Sequence, residues 1–255
     1  MTLRSGIRRA REALCDVGEA ALDWLYPRHC YHCDELISER RERVLCPQCR
    51  RELAALRITG TICPVCGLPV AEETPADEPC LTCRSEPRRF EVARAFFPYA
   101  GPVVSVIKHF KFGGQFFLGP LFLRDLLETA EFPPEMDGAD VVVPVPLHPR
   151  RLQGRGYDQV LLLSRVVARH ADLPLVNALA CRRYTAQQSR LPHGGRRRNV
   201  AGAFAVGRPE AVEGRSVLLV DDVMTTGATV DACARALKRK RAREVKVLTL
   251  ARATA

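Results

Sequence analysis

The chain has 255 residues and a formal net charge of +10. This length allows one large domain or a main domain with an appendage, and no apolar run reaches the roughly 18 residues that a membrane-spanning helix needs. The positive charge favours anionic partners such as nucleotides or nucleic acid, although basic residues can also simply cover a solvated surface. We therefore expect no membrane span, and charge alone does not decide the partner.

Residues 1–26 are predicted to form an amphipathic helix that packs on the module after it. Apolar side chains recur every three or four residues along this segment, at Leu3, Ile7, Leu14, Val17, Ala21 and Leu25. The segment carries arginines but lacks the apolar core of a signal peptide, and its acidic residues are untypical of a transit peptide. We therefore expect a cytoplasmic protein, with Cys15 as a packed thiol in this helix.

Eight of the eleven cysteines occur as four C-x-x-C pairs. The pairs are Cys30/Cys33, Cys46/Cys49, Cys63/Cys66 and Cys80/Cys83. One such turn brings two thiolates to the same ion, and a second pair a dozen or so residues later completes a tetrahedral zinc site. Two sequential zinc ribbons over residues 27–88 are the simplest arrangement, while interleaved pairing stays open. In either case one or two zinc ions would be structural, because four thiolates leave no open coordination position.

From residue 89 to 255 longer apolar segments indicate an α/β domain. The predicted elements are a strand at 96–99, a short helix at 103–107, a basic loop at 108–115, a helix at 118–130, a buried strand at 140–146 and a helix at 158–169. Lys108 and Lys111 lie in the predicted basic loop and could approach an anion. On their own they are more often solvated surface lysines.

An arginine-rich stretch follows the strand predicted at 140–146. Open α/β sheets bind ligands at the carboxyl ends of their strands, and guanidinium groups match phosphate oxygens. Arg150, Arg151 and Arg155 are therefore candidate pyrophosphate contacts, although an exposed basic turn is an equal alternative for any one of them. The long polar segment 181–204 is predicted to be a lid or partly disordered.

Residues 217–229 read V-L-L-V-D-D-V-M-T-T-G-A-T and carry the chemistry around which we expect the domain to be arranged. Four apolar residues predict a buried parallel strand, which the acidic pair Asp221 and Asp222 closes. Thr225–Thr229 then offer hydroxyls, backbone N–H groups and the start of a helix, a combination that suits a phosphate. Because carboxylates suit the diol of a sugar, the segment predicts a site for a phosphorylated sugar. A last strand at 245–250 completes a strand–helix–strand unit.

The segment 217–229 also resembles, at every position, the phosphoribosyl-pyrophosphate (PRPP) signature of type I phosphoribosyltransferases. The wider order of motifs resembles the ComF-type competence proteins over nearly the whole chain after the first helix. The motifs are the paired C-x-x-C module, Y-A-G-P-V at 99–103, K-F-G-G at 111–114, V-P-V-P-L at 143–147, R-G-Y-D-Q at 155–159, T-A-Q-Q at 185–188 and R-R-N-V-A-G-A-F at 197–204. The family usually has R-G-F-N-Q in place of R-G-Y-D-Q, so Asp158 places a negative charge in an expected phosphate site.

The resemblance implies an α/β fold, with a type I phosphoribosyltransferase-like parallel sheet domain after a small N-terminal Cys-rich zinc-ribbon domain. It also implies a PRPP-binding segment in which Thr225, Thr226, Gly227, Ala228 and Thr229 cradle the 5′-phosphate, after Val223 and Met224. Asp221 and Asp222 would engage the ribose hydroxyls, and they would be the catalytic residues if phosphoribosyl transfer occurs. Mg²⁺ would bridge the pyrophosphate and ribose oxygens.

The family further implies a role in DNA uptake during natural transformation, with single-stranded DNA and a helicase-like competence protein as partners. Whether the chain is an enzyme stays open at this point. One alternative is a phosphoribosyltransferase of nucleobase salvage, and another is a non-catalytic PRPP-sensing or DNA-binding zinc module. The ribbons could equally dock a protein partner, and their few aromatic residues make base stacking there a weak expectation.

Overall fold

The computed structural model describes residues 27–37, 43–58, 60–183 and 200–253. The amphipathic helix predicted at residues 1–26, with Cys15, lies outside the described residues, and so does most of the predicted lid, residues 184–199. Within the described ranges, no helix has the length and apolar character that a bilayer crossing requires. The predicted domain boundaries at 26/27 and 88/89 stay predictions.

The described elements run in chain order from the cysteine-rich region to the last strand. They are α1 (Pro47–Ala55), α2 (Leu81–Ser85), β1 (Val92–Pro98), α3 (Gly101–Phe112), α4 (Leu118–Leu127), β2 (Val141–Pro144), α5 (Pro149–Arg155), α6 (Gln159–His170), β3 (Leu179–Cys181), β4 (Phe204–Val206), β5 (Ser216–Met224), α7 (Ala228–Lys238) and β6 (Glu244–Arg252), with short 3₁₀ turns at Pro134–Met136 and Pro209–Ala211. Strands and helices alternate through most of the second part, as the α/β prediction requires.

Four parallel strands form the main sheet in the order β1-β6-β5-β2. Because side chains alternate between the faces of a strand, β5 contributes to two cores. Leu218 and Val220 pack with α3, α4 and α6 on one face, while Val217 and Leu219 pack with α7 and the antiparallel pair β3–β4 on the other. Both faces are covered, which explains the continuous apolar run in β5.

Several local predictions were wrong, and the strand predicted at 96–99 is β1, which spans Val92–Pro98. The helix predicted at 103–107 continues to Phe112, because Val103, Val106, Ile107 and Phe110 form one buried stripe with helical spacing. The basic loop predicted from residue 108 therefore begins only at Gly113. The arginine-rich turn after β2 is also helical, as α5.

Strand β5 also continues beyond the acidic pair that was expected to close it. Val223 pairs with Ala251 and Met224 with Arg252 of β6, so the ladder persists to Met224. The polar side chains at 221 and 222 therefore project from an ordered strand rather than from a loop. A strand holds side chains more precisely than a loop does, which favours a defined site.

The two cysteine clusters belong to the cores on the two different faces of the sheet. In the first cluster region, His32 Nδ1 lies 2.9 Å from Ser105 Oγ, and the Tyr31 ring packs edge-on against His109 of α3. In the second, Ala93 N–H of β1 donates to Val65 C=O at 2.7 Å. Gly67 makes this close approach possible, because a Cβ there would lie 2.6 Å from the Ala93 carbonyl oxygen.

Candidate functional site

The carboxyl end of β5 leads into a tight turn that opens helix α7. Gly227 precedes the helix with φ of 77°, a left-handed conformation that favours glycine, and a Cβ there would approach Met224 Cε to 3.1 Å. The first N–H groups of a helix have no intrahelical partner and carry its positive dipole end. The turn from Thr225 to Thr229 can therefore receive a phosphate, as the sequence pattern predicts.

The acidic pair lies at the floor of a cleft of about 320 Å³. Asp222 is 5% exposed, and both its carboxylate oxygens have partners. Lys111 Nζ of α3 donates to Oδ1 at 2.7 Å, and Gln159 Nε2 of α6 donates to Oδ2 at 3.3 Å. Asp221 instead accepts the N–H of Asp222 at 2.8 Å. The pair is thus asymmetric, with Asp222 fixed from two helices and Asp221 freer to meet a ligand.

The three candidate arginines occupy different positions around the cleft. Arg151 and Arg155, four residues apart on α5, both line it, whereas Arg150 is exposed and is not part of the lining. Burial lowers the pKa of Arg155, and the charge of Asp222 acts in the opposite direction. Its Nη1 is buried and has no hydrogen-bond partner among the described residues. An unpaired guanidinium nitrogen in a cleft favours an anionic ligand there.

The cleft gathers most of the sequence-predicted PRPP segment. Its lining includes Asp221, Asp222, Val223, Met224, Thr225, Gly227, Ala228 and Thr229. Thr226 does not line the cleft, and its Oγ1 accepts the Ala228 N–H at 3.4 Å, where it stabilises the turn. The site roles of these residues stay predictions, but the chain does bring them to one place.

Several lining residues were not predicted as parts of the site. They include Tyr99, Phe112, His148, Gln159 and Cys181. Lys111 was noted only as a lysine that could approach an anion. The motifs Y-A-G-P-V, K-F-G-G and R-G-Y-D-Q carried some signal, because they contain Tyr99, Lys111, Phe112 and Gln159, but they do not say what those side chains contact.

Asp158, which departs from the family pattern, caps a helix. Its Oδ1 accepts the Leu161 N–H at 2.9 Å at the start of α6. Burial raises the pKa of this carboxyl, while the backbone hydrogen bonds act against that shift. The aspartate therefore has a structural role at the N-terminus of α6, a role that asparagine can also perform.

Asp158→Ala should lower the free energy of unfolding by about 1 kcal/mol, because the cap of α6 is lost. Asp158→Asn, which restores the residue usual in the family, should be neutral or slightly stabilising, because it keeps the cap without a buried charge. Urea unfolding of both variants measures the difference. Equal losses in the two variants would show that the charge of Asp158, and not its cap, matters for stability.

The cysteines form two separate four-thiol clusters. Sγ atoms lie within 4.8 Å of one another in each cluster, which are Cys30, Cys33, Cys46 and Cys49, and Cys63, Cys66, Cys80 and Cys83. Sequential pairing of the ribbons is therefore correct, and the interleaved alternative is not observed. Cys33 and Cys46 are 3.6 Å apart and Cys66 and Cys80 are 3.8 Å apart. Tetrahedral zinc with Zn–S bonds of about 2.3 Å requires sulfur separations of about 3.8 Å, so the donor sets fit zinc.

Arg252 connects the second cluster to the ligand cleft. This residue of β6 is 5% exposed. Its Nη2 lies 3.5 Å from Cys66 Sγ, and its Nη1 donates to the Thr225 carbonyl at 2.9 Å. One buried guanidinium thus contacts a metal-site thiolate and the phosphate turn simultaneously.

Comparison with known proteins matches both parts of the chain. Residues 21–85 match a double zinc ribbon domain, and residues 161–255 match a phosphoribosyl transferase domain. Competence protein F of Haemophilus influenzae is 30% identical over 88% of this chain and 96% of its own. The chain belongs to the ComF family. It thus has the zinc-ribbon and phosphoribosyltransferase-fold organisation that its sequence predicts.

Other ComF relatives show similar coverage. DNA utilization protein YhgH of Escherichia coli O157:H7 is 34% identical over 82% of this chain and 90% of its own. Competence protein ComFC of Bacillus subtilis (strain 168) is 28% identical over 88% of this chain and 94% of its own. Among solved structures, an allosteric regulatory enzyme of purine biosynthesis aligns with 51% of this chain and 24% of its own at 23% identity, with a TM-score of only 0.33.

Proposed function

We propose that this ComF-family protein binds PRPP with Mg²⁺ in the cleft at the carboxyl end of β5, and that this binding serves DNA uptake. The observation that carries the proposal is the convergence of an acidic pair, a phosphate turn and two arginines in one cleft. A sugar that carries one phosphate and one pyrophosphate has complementary groups for all three. The names of the relatives, competence and DNA utilization proteins, support the proposed role in DNA uptake.

Each part of the cleft has a defined task in this proposal. The turn from Thr225 to Thr229 holds the 5′-phosphate, and Asp221 and Asp222 accept hydrogen bonds from the ribose hydroxyls. Arg151 and Arg155 contact the pyrophosphate. Mg²⁺ bound with PRPP would supply neutralisation of the pyrophosphate charge. Lys111 and Gln159 hold Asp222 in position, so the acceptor geometry exists before the sugar arrives.

Single-stranded DNA and a helicase-like competence protein are the proposed partners, and the cytoplasm is the proposed compartment. Eight thiols arranged for zinc require reducing conditions, which favours a cytoplasmic site. The formal net charge of +10 favours a polyanionic partner. Phosphoribosyl transfer to a nucleobase is the alternative outcome, in which Asp221 and Asp222 are catalytic.

The test is calorimetric titration of the zinc-loaded protein with PRPP and Mg²⁺, repeated with single-stranded oligonucleotide present. Binding in the micromolar range, with ribose 5-phosphate alone binding more weakly, supports the PRPP site. A change of affinity with oligonucleotide supports coupling to DNA. Absence of PRPP binding in both titrations would refute the proposal. Pyrophosphate release in the presence of a purine or pyrimidine would assign the protein to nucleobase transfer instead.

The PRPP affinity should increase with pH because of Asp221. Burial, followed by the neighbouring charge of Asp222, raises the pKa of Asp221 to about 8. If the carboxylate form accepts the ribose hydroxyl, affinity should increase about fivefold from pH 7 to pH 8 and level off above pH 9. Titrations of the wild type and Asp221→Asn across this range test the prediction, because the variant retains only the titration of PRPP itself. Parallel profiles would contradict it.

The same raised pKa has the opposite effect on the ligand-free protein. The protonated carboxyl is the form that the fold favours, so this group's stabilising contribution is fully present below about pH 4. It is lost as the pH increases through about 8. As the pH increases toward 8, the PRPP affinity should therefore increase while the free energy of unfolding of the ligand-free protein decreases.

A further inference from the structure

An exposed group of aromatic rings lies beside the cleft. We call Phe112, Phe116, Phe117 and Tyr157 the aromatic platform. Phe112, Phe116 and Phe117 are 67%, 57% and 48% exposed. Phe116 contacts Phe117 with ring centroids 6.0 Å apart and Tyr157 with centroids 6.2 Å apart, both edge-on. Three large apolar side chains within six residues are thus left in contact with solvent, and two of them, Phe116 and Phe117, contact each other.

The platform residues lie in a segment that buried residues hold in place on both sides. Tyr157 packs on the buried ring of Phe110, with centroids 5.9 Å apart, and its hydroxyl donates to the Phe110 carbonyl. Leu118, at the start of the next helix, is completely buried. The chain between these two buried residues is therefore fixed at both ends. Grouped exposed apolar side chains of this kind indicate a binding surface, whereas single ones are ordinary.

Positive charge surrounds the platform. The guanidinium carbon of Arg155 lies 5.5 Å from the centroid of the Phe112 ring. Lys108 is exposed one turn before Phe112 on α3. Aromatic rings interleaved with cations are the combination with which proteins hold single-stranded nucleic acid, because rings stack on bases and cations contact phosphates.

The platform is continuous with the proposed PRPP site. Phe112 and Arg155 line the cleft, whereas Phe116, Phe117 and Tyr157 lie outside its lining. A strand on the platform would therefore run past the mouth of the cleft. The ribbons, in which few aromatic residues were found, are not needed for stacking in this arrangement.

We propose that the aromatic platform stacks bases of a single-stranded nucleic acid, with Lys108 against its phosphates. The proposal rests on the proposed function only in placing the strand beside a PRPP site. It names the surface that a single strand occupies and the residues that hold its bases. Phe116 and Phe117 lie outside the lining of the cleft, so they can be changed without removing a residue of the PRPP site.

The experiment compares the wild type, Phe116→Ala/Phe117→Ala and Phe116→Trp/Phe117→Trp by fluorescence anisotropy with a labelled oligothymidylate. Loss of two stacking rings should weaken binding at least about 30-fold, since each stacked base contributes about 1–3 kcal/mol. The slope of log affinity against log salt concentration should stay unchanged, because no phosphate contact is removed. The tryptophan variant should bind like the wild type, and oligothymidylate should quench the fluorescence of the new rings.

Two further measurements separate this proposal from others. An abasic oligonucleotide of equal length should bind the wild type at least as weakly as oligothymidylate binds the alanine variant, because it loses stacking on all four rings. Calorimetric titration of the same samples with PRPP and Mg²⁺ measures whether the cleft still binds PRPP. If the alanine variant still binds PRPP but no longer binds DNA, the result supports the platform. If DNA binding depends on the rings but the protein does not bind PRPP at all, the result supports the platform and refutes only the PRPP site.

Several results would overturn the proposal. The wild type could fail to bind oligothymidylate. It could bind abasic and normal strands equally well, or the alanine variant could bind DNA with the same affinity as the wild type. A wild-type dimer that the alanine variant converts to a monomer, without a change in DNA affinity, would assign the rings to self-association. Binding of a free nucleobase but not of the strand would assign them to an acceptor site.

Discussion

Replacing both Asp221 and Asp222 with asparagine should weaken the binding of PRPP and Mg²⁺ at least about 100-fold at about pH 9, where the Asp221 carboxyl is ionised. Each carboxylate is expected to accept a charge-assisted hydrogen bond from a ribose hydroxyl, which contributes roughly 1.5–3 kcal/mol, and each 1.4 kcal/mol is a factor of ten in affinity. The double change also removes the charge that orients Lys111. Calorimetric titration of the purified variant measures the loss.

The fold should survive this change, which makes the binding result interpretable. Asp221 is a carboxyl whose pKa is raised in the folded protein, so its neutralisation removes an unfavourable charge. Lys111 remains partly exposed, at 20%, and can be solvated when Asp222 is neutral. Asp172→Asn is a matched control, because this aspartate is exposed and does not line the cleft. PRPP affinity that is equal in the double variant and in the control would refute the site assignment.

The region from β5 to β6 was the most predictable part of the fold. Its apolar run, helical spacing and final strand are local signals, and β5, α7 and β6 appear where those signals place them. The ends of these elements were less predictable. The sequence suggests that polar Asp221 ends the strand, but pairing of Val223 and Met224 with β6 extends it, and this pairing depends on a partner outside the local window.

The partners of Asp222 show what sequence alone could not provide. Lys111 is 111 residues away and Gln159 is 63 residues away along the chain. No spacing rule links such positions, because their proximity arises from the packing of α3 and α6 on the same face of the sheet. Cysteine spacing predicted the metal ligands themselves, since the ligands of one ribbon lie within a short segment. The choice between sequential and interleaved pairing needed the three-dimensional structure.

The aromatic platform was missed for a related reason. Phe112, Phe116 and Phe117 are close in sequence, but the predicted basic loop gave them no fixed direction. Tyr157, which contacts Phe116, follows about 40 residues later at the junction of α5 and α6. The buried stripe of α3 that ends at Phe110 determines where the rings point, and this stripe is visible only once the helix is extended through Phe112.

Loss of the second zinc site should weaken PRPP binding, whereas loss of the first should not. Cys63→Ala and Cys30→Ala each remove one ligand from one cluster, and each should lower the zinc content from two ions per chain to one, as measured by mass spectrometry. A ribbon has little core, so its folding energy comes mostly from the metal. Cys181→Ser is the matched control for zinc content, since this cysteine belongs to neither cluster.

The difference between the two variants arises from Arg252. When the second ribbon loses its metal, the buried guanidinium loses the Cys66 thiolate, and breaking one partner of a buried charged pair costs roughly 3–5 kcal/mol. Because the same group donates to the Thr225 carbonyl, the phosphate turn loses its support from β6, and PRPP affinity should fall at least about tenfold. The described part of the first ribbon contacts α3 instead, through His32 and Tyr31. Equal PRPP affinities in Cys63→Ala and Cys30→Ala would show that Arg252 only fills space between the ribbon and the sheet.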